Sequence, residues 1–194
     1  MGEKSQNKRK YILETARKVF LEKGYKNVTM KDIVEACDIS RGGLYLYFSS
    51  TREIFLEVLK LEANDDDDVF GSNISEDATA ADILALFLKE QKKELLRKNN
   101  NLSMATYEFF FAEDMPKKDN FLKHQFDSAV KIIEKLIAAG VESGEFYCDD
   151  CSGAARNIMF VLEGLKVTSQ TIGITQESVD RELLYIMRGL AADE

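Results

Sequence analysis

No run of apolar residues in this chain exceeds a few positions, far short of the roughly 20 that a membrane helix needs. The opening MGEKSQNKRKY is basic but has no apolar segment of the kind a signal peptide carries. These two absences lead to the expectation of a cytoplasmic protein with no membrane partner. Cysteine occurs three times, an odd and small number that argues against a disulfide framework and for reduced thiols. Cys148 and Cys151 form a CxxC, but it lacks the two further ligands of a structural zinc site. The pair is expected in a loop, where its spacing would permit a disulfide. Histidine occurs once, as His124 in FLKHQF, with no nucleophile at a suggestive spacing. There is no phosphate-binding glycine loop and no HExxH. Four adjacent carboxylates, Asp65 to Asp68, would diverge on a helix or loop, so they are read as a solvated acidic segment. The expectation is therefore no enzyme activity, no metal and no cofactor. Strand-like alternation and internal repeats are also missing.

What is present is ample apolar content, 45% of 194 residues, enough for a sizeable core. Net charge is −8, but it is unevenly spread. Residues 1–60 carry 12 Lys and Arg against 8 Asp and Glu, a balance of +4, and the remainder carries −12. A basic head on an acidic body is the polarity expected if only the head meets phosphate.

Apolar residues recur at helical spacing along the whole chain, giving an all-α fold of about nine helices. The first runs over residues 8–24, with Ile12, Leu13, Ala16, Val19 and Phe20 inward and Gly24 as its stop. A second begins near Met30, where Thr29 and Asp32 form a capping box. Ser40 caps a third, with Leu44 and Phe48 on its inner face, and Ser50 with Glu53 caps a fourth that dissolves at Asn64. A loop follows at Gly71 to Asp77. Thr79 with Asp82 opens the fifth helix, which Asn99 to Asn101 interrupts. The sixth spans about Leu102 to Met115, ended by Pro116. The seventh begins near Asn120 and turns at Gly144. Asp149 or Asp150 caps a largely apolar eighth, and Thr175 starts a ninth.

The stretch from Thr29 to Phe55 carries the chemistry. Two short helices joined by a tight turn let a small scaffold push one helix into a DNA groove. Gly42 and Gly43 sit inside the presumed recognition helix at ~1 kcal/mol each relative to alanine, a cost offset if the bare backbone must approach phosphate or base edges. Arg41 can reach a phosphate or a guanine edge, and Thr29 and Ser40 stand at helix starts whose free N–H groups suit phosphates. Lys31 adds a cation. Tyr45 and Tyr47 cannot share one helix face, and their hydroxyls suit phosphate contacts. Thr51 and Arg52 begin the fourth helix, where a backbone N–H and a guanidinium could clamp another phosphate.

Over residues 8–60 the sequence resembles the TetR family of bacterial transcriptional regulators. The matching positions are Thr29, Ile33, Ala36, Ile39, Ser40, Gly42, Leu44, Tyr45, Tyr47, Phe48, Ser50 and Phe55, and GVESGEF at Gly140 to Phe146 is a further likeness. Three positions depart from the family pattern. Asp38 replaces the turn glycine, Thr51 followed by Arg52 replaces a lysine, and Leu46 stands where many members carry a polar or aromatic residue. The resemblance implies a helix-turn-helix DNA-binding domain over 1–50 and a ligand-binding and dimerisation domain over 51–194. It implies a homodimer, formed through the last two helices, on a near-palindromic DNA operator. The expected function is a repressor released by a small-molecule ligand whose identity the sequence does not give. The apolar surface of residues 151–172 and 178–191 agrees with dimerisation. Expected ligand contacts are Tyr107, Phe110, Phe111, Phe126, Met159 and Phe160, with Glu108 and Glu163 favouring a cationic ligand if buried among aromatics. The alternative is a helical protein-interaction module that has lost DNA binding.

Overall fold

The computed structural model describes residues 3–72, 75, 77–97 and 102–191, with the backbone alone described for 64–72 and 117. Among the described residues there are nine α-helices, and none is long and apolar enough to cross a membrane. The helices divide into two compact units. One comprises residues 1–72 and 99–114, the other 73–98 and 115–194.

The first unit begins with α1, Glu3–Lys23, which buries Ile12, Leu13, Ala16, Val19 and Phe20. It starts five residues before the sequence expectation, because its opening Glu, Lys and Gln residues favour a helix while contributing nothing to an apolar pattern. Gly24 ends it at φ +72°, with its N–H donating to the Phe20 carbonyl at 2.9 Å. α2 is Met30–Cys37 and has the expected capping box, Thr29 with Asp32. Asp38 follows in the left-handed region (φ 50°, ψ 51°), so the departure from glycine preserves the turn. α3 is Arg41–Tyr45, capped by Ser40.

α4 runs over Thr51–Ser72, and its cap differs by one residue from the expected box. The Glu53 N–H donates to Ser50 Oγ, whereas the Glu53 carboxylate accepts the N–H and hydroxyl of Ser49, both at 2.7 Å. The helix continues past Asn64, where the sequence reading ends it. Asp and Asn are weak helix formers, but they do not break a helix as proline does. The Asp65 to Asp68 side chains lie outside the described residues. Gly71 and Ser72, expected in a loop, are helical; Asn73, Ile74 and Glu76 of that loop lie outside the described residues, as do Asn99 to Asn101.

α6, Ser103–Ala112, completes this unit. It stops three residues before Met115 because Glu113 is extended (φ −97°, ψ 122°). The compact unit therefore extends beyond the residue-50 division drawn from sequence. Phe20, Tyr25, Phe55 and Phe109 meet in its core, with Phe55 5.2 Å from Phe109 and Tyr25 4.8 Å from Phe109, ring centre to ring centre.

The second unit contains α5 (Ala80–Leu96), α7 (Phe121–Ser143), α8 (Cys151–Thr171) and α9 (Gln176–Arg188), with a 3-10 turn at Lys117–Asp119. Thr79 with Asp82 and Thr175 cap their helices as expected, Asp150 is the one of the two candidate aspartates that caps α8, Asn120 caps α7, and Gly144 follows α7 at φ +81°. α8 packs against α5, α7 and α9. Its inner side contributes Ala155, Ile158, Met159 and Leu162 to a core shared with Leu84, Leu88, Ile133, Ile137, Val179 and Ile186. Gly140 is required by close approach, since a Cβ there would fall 2.2 Å from the buried Phe146 ring.

Candidate nucleic-acid interface

α3 is positioned from beneath by Leu44 and Phe48, which are 0% and 1% exposed. At about 100° per residue, their directions place Gly42 and Leu46 outward, with Tyr45 at the flank and Arg41 on the same side as Tyr45, nearer the buried face. All four are exposed. The Arg41 guanidinium lies over the Tyr45 ring at 5.6 Å, so the cation and the phenol form one polar edge. Nothing lies within 4 Å of where a Gly42 Cβ would stand. Gly43 instead donates its N–H to Ser40 Oγ at 3.0 Å, and a Cβ there would sit 3.1 Å from that oxygen. Tyr47 is half-buried on the other flank. The sequence thus assigns the two glycines one role, whereas the structure separates them. Gly42 clears the outward surface, and Gly43 makes room for the cap.

Thr29 and Lys31 stand at the start of α2. Lys31 is exposed and lies 3.6 Å from Glu35. The Asp32 carboxylate of the capping box accepts from the Lys23 ammonium at 2.6 Å and from the Thr29 N–H. The Lys23 bond, followed by those from Thr29, holds its carboxyl well below the usual carboxylate range. A depressed folded value means the stabilisation is complete above the unfolded value of about 4 and disappears as pH falls through the folded one. The urea midpoint of the native protein is therefore expected to exceed that of Asp32→Asn at pH 7, with the gap closing as pH is lowered below about 4.

Thr51 and Arg52 begin α4, but Arg52 is already engaged. Its Nε lies 3.2 Å from Glu113, the residue just past α6, and the other Glu113 oxygen accepts the Tyr25 hydroxyl at 2.7 Å. Burial, then the Glu113 bond, pushes the Tyr25 phenol above its ordinary range, so it remains a donor. Glu108 of α6 accepts the Lys26 N–H at 3.1 Å and lies against Gly24. Sequence reasoning singled out Glu108 as a ligand contact rather than as a partner of the Gly24–Lys26 turn, and it missed Glu113, whose partners are distant in sequence.

The eight expected ligand contacts fall in different units. Tyr107, Glu108, Phe110 and Phe111 are on or beside α6 in the first; Phe111 is 86% exposed and Phe110 packs edge-on against Phe109. Phe126, Met159, Phe160 and Glu163 are on α7 and α8 in the second. There the Phe126 and Phe160 rings are 5.3 Å apart, and Glu163 pairs with Lys166 at 3.0 Å. Neither Glu108 nor Glu163 is fully buried. An open cavity of about 510 Å³ lies elsewhere in the second unit, lined by residues from Val161 on α8 to Glu182 on α9, and none of the eight residues lines it. Cys148 and Cys151 are free thiols, Cys151 being the first residue of α8 rather than part of a loop. His124 is exposed, with a ring nitrogen 2.6 Å from the Lys118 carbonyl oxygen.

Comparison with known proteins places this geometry in context. Residues 12–58 match the family described as bacterial regulatory proteins, tetR family, and residues 83–180 match the tetracyclin repressor-like C-terminal domain. An uncharacterised HTH-type transcriptional regulator of Bacillus subtilis, YfiR, is 32% identical over 136 residues, which are 70% of this chain and 66% of that protein. A structure from Saccharomonospora viridis, solved in complex with choline, superposes with a TM-score of 0.85 at 21% identity, over 97% of this chain and 100% of the other. The regulator FadR from Bacillus subtilis, solved with stearoyl-CoA, gives 0.73 at 20% identity, over 92% and 97%. The last two likenesses are of fold. With both of its halves matched, one by a model covering more than half of its length, the chain belongs to the TetR family of bacterial transcriptional regulators.

Proposed function

We propose that this chain is a repressor that binds a near-palindromic DNA operator as a homodimer and leaves it when a small molecule binds. The observation that carries the DNA reading is the outward face of α3, where an unobstructed glycine lies beside a stacked Arg41–Tyr45 pair. Around it, Thr29, Lys31, Ser40, Gly43, Tyr47, Thr51 and Arg52 are assigned to phosphate or base contacts. Residues 1–50 supply all of these groups but Thr51 and Arg52, which open the segment 51–194 assigned to ligand binding and dimerisation. Two heads must meet successive major grooves ~34–36 Å apart, so small changes in their separation alter affinity strongly.

The dimer is assigned to the last two helices. Phe160, Val167 and Ile172 on or just after α8, and Leu184 and Tyr185 on α9, are large exposed apolar residues of the kind an isologous interface covers. For the ligand, the paired rings of Phe126 and Phe160 with Met159 and Glu163 offer an aromatic surface and one carboxylate. Tyr107, Glu108, Phe110 and Phe111 are retained as α6 contacts. Choline and stearoyl-CoA, the molecules bound by the two structural neighbours, are the first compounds to try. A cytoplasmic location and the absence of catalysis complete the reading.

The test is selection of genomic DNA fragments by the purified full-length protein, followed by a screen for release. Enrichment of a two-fold related sequence supports the proposal; no retained fragment even at low salt overturns it. Glu113→Gln refines the role of Arg52. The variant keeps an acceptor for Tyr25 but removes the charge that competes with phosphate. Operator affinity is expected to rise a few-fold and the log–log salt slope to steepen by up to ~0.9 per head. Unchanged slope would mean that Arg52 does not reach the DNA.

A further inference from the structure

We propose that Leu46 reads a thymine methyl group in each operator half-site, an inference that rests on the DNA-binding reading of α3. Leu46 is 82% exposed, although it follows directly on the helix that carries the interface. Its N–H donates to the Gly42 carbonyl at 3.1 Å, so the two residues are stacked one turn apart. Both lie on the side opposite Leu44 and Phe48. The most outward line of the recognition helix is consequently a glycine with nothing near its missing Cβ, followed by an isobutyl group. Arg41 and Tyr45 form the polar edge beside that line.

This arrangement has a chemical consequence. Gly42 lets the helix approach a groove floor without obstruction, and Leu46 is then the side chain carried towards the base edges. It can neither donate nor accept a hydrogen bond. Set against a guanine O6 and N7, an adenine N6 or a cytosine N4, it would strip water from a polar group and return nothing. Among the groups displayed in the major groove, the thymine C5-methyl alone offers an apolar partner. The basic balance of residues 1–60 favours a polyanion rather than an apolar protein surface as the occupant of this face.

The experiment uses the full-length protein, the fragment recovered from genomic selection, and deoxyuridine placed singly at each thymine of a half-site, which removes only the methyl. One position is expected at which uracil weakens native binding about 4-fold per half-site, the worth of one buried methyl. Leu46→Ala is expected to bind thymine and uracil equally there, and Leu46→Gln to lose the thymine preference in a randomised half-site. Because Leu46 is exposed, both variants should retain the native thermal melt. If every uracil penalty is the same in native protein and Leu46→Ala, the assignment of Leu46 fails while DNA binding stands. If the native protein binds no duplex, the underlying reading fails and takes this one with it. If Leu46→Ala instead abolishes capture of a protein partner and leaves DNA affinity intact, the face belongs to that partner and the proposal is overturned.

Discussion

Arg41→Ala is expected to weaken operator binding by about 1–3 kcal/mol per head, and by about twice that in a symmetric dimer. The loss should be specific to DNA. Arg41 is exposed at the first position of α3, and its recorded contact is the Tyr45 ring, so fold stability should change by no more than about 0.5 kcal/mol. The salt dependence separates the two ways in which the guanidinium can act. A phosphate contact removes about 0.9 from the log–log slope per head and weakens all sequences alike. A bidentate contact to guanine leaves much of the slope and relaxes the preference at one base pair. Fluorescence anisotropy against salt, on operator and on scrambled duplex, distinguishes them. Equal affinity for native protein and variant under all conditions would show that α3 does not present Arg41 to DNA.

Phe55→Ala is expected to have the largest effect on stability, about 3–5 kcal/mol. The ring is 0% exposed and packs against Phe20 at 4.7 Å, Tyr25 at 5.1 Å and Phe109 at 5.2 Å. Alanine would leave a void that three rigid rings cannot close by rotamer changes. Against a typical total of about 5–15 kcal/mol, that loss should move the urea midpoint sharply and populate a form lacking its N-terminal unit. A shift equivalent to less than about 1 kcal/mol would mean that the surrounding helices collapse into the space.

Local grammar was the most legible part of the fold. Thr29 with Asp32, Thr79 with Asp82, and Gly144 each act within a few residues of chain, so residue type and spacing suffice to place them. Asp38 could be assigned its left-handed turn on the same ground. The α3 face was also legible, because burying Leu44 and Phe48 determines which neighbours point away. Less visible was anything depending on a distant partner. Tyr25 and Glu113 are 88 residues apart, and no local pattern links them. Phe109 reads in sequence as one more helical aromatic, and only the packing shows that it closes the aromatic core against Tyr25 and Phe55. Arg52 looks like a free phosphate clamp until Glu113 is seen beside it. The role of the aromatics on α6, α7 and α8 was equally opaque, since burial in a core and lining of a pocket demand the same residue types.

The dependence of this N-terminal core on Phe109 also governs the order in which the protein can mature. The ribosome delivers α1 to α4 well before α6 exists. At 5–20 residues per second, about 3–11 s separate the synthesis of Phe55 from that of Phe109. During that interval the nascent chain holds the DNA-reading helices without the ring that packs against Tyr25 and Phe55. The segment encoded first is thus among those completed late. A message truncated before α6 would release a head with an uncovered aromatic surface, open to proteases and chaperones.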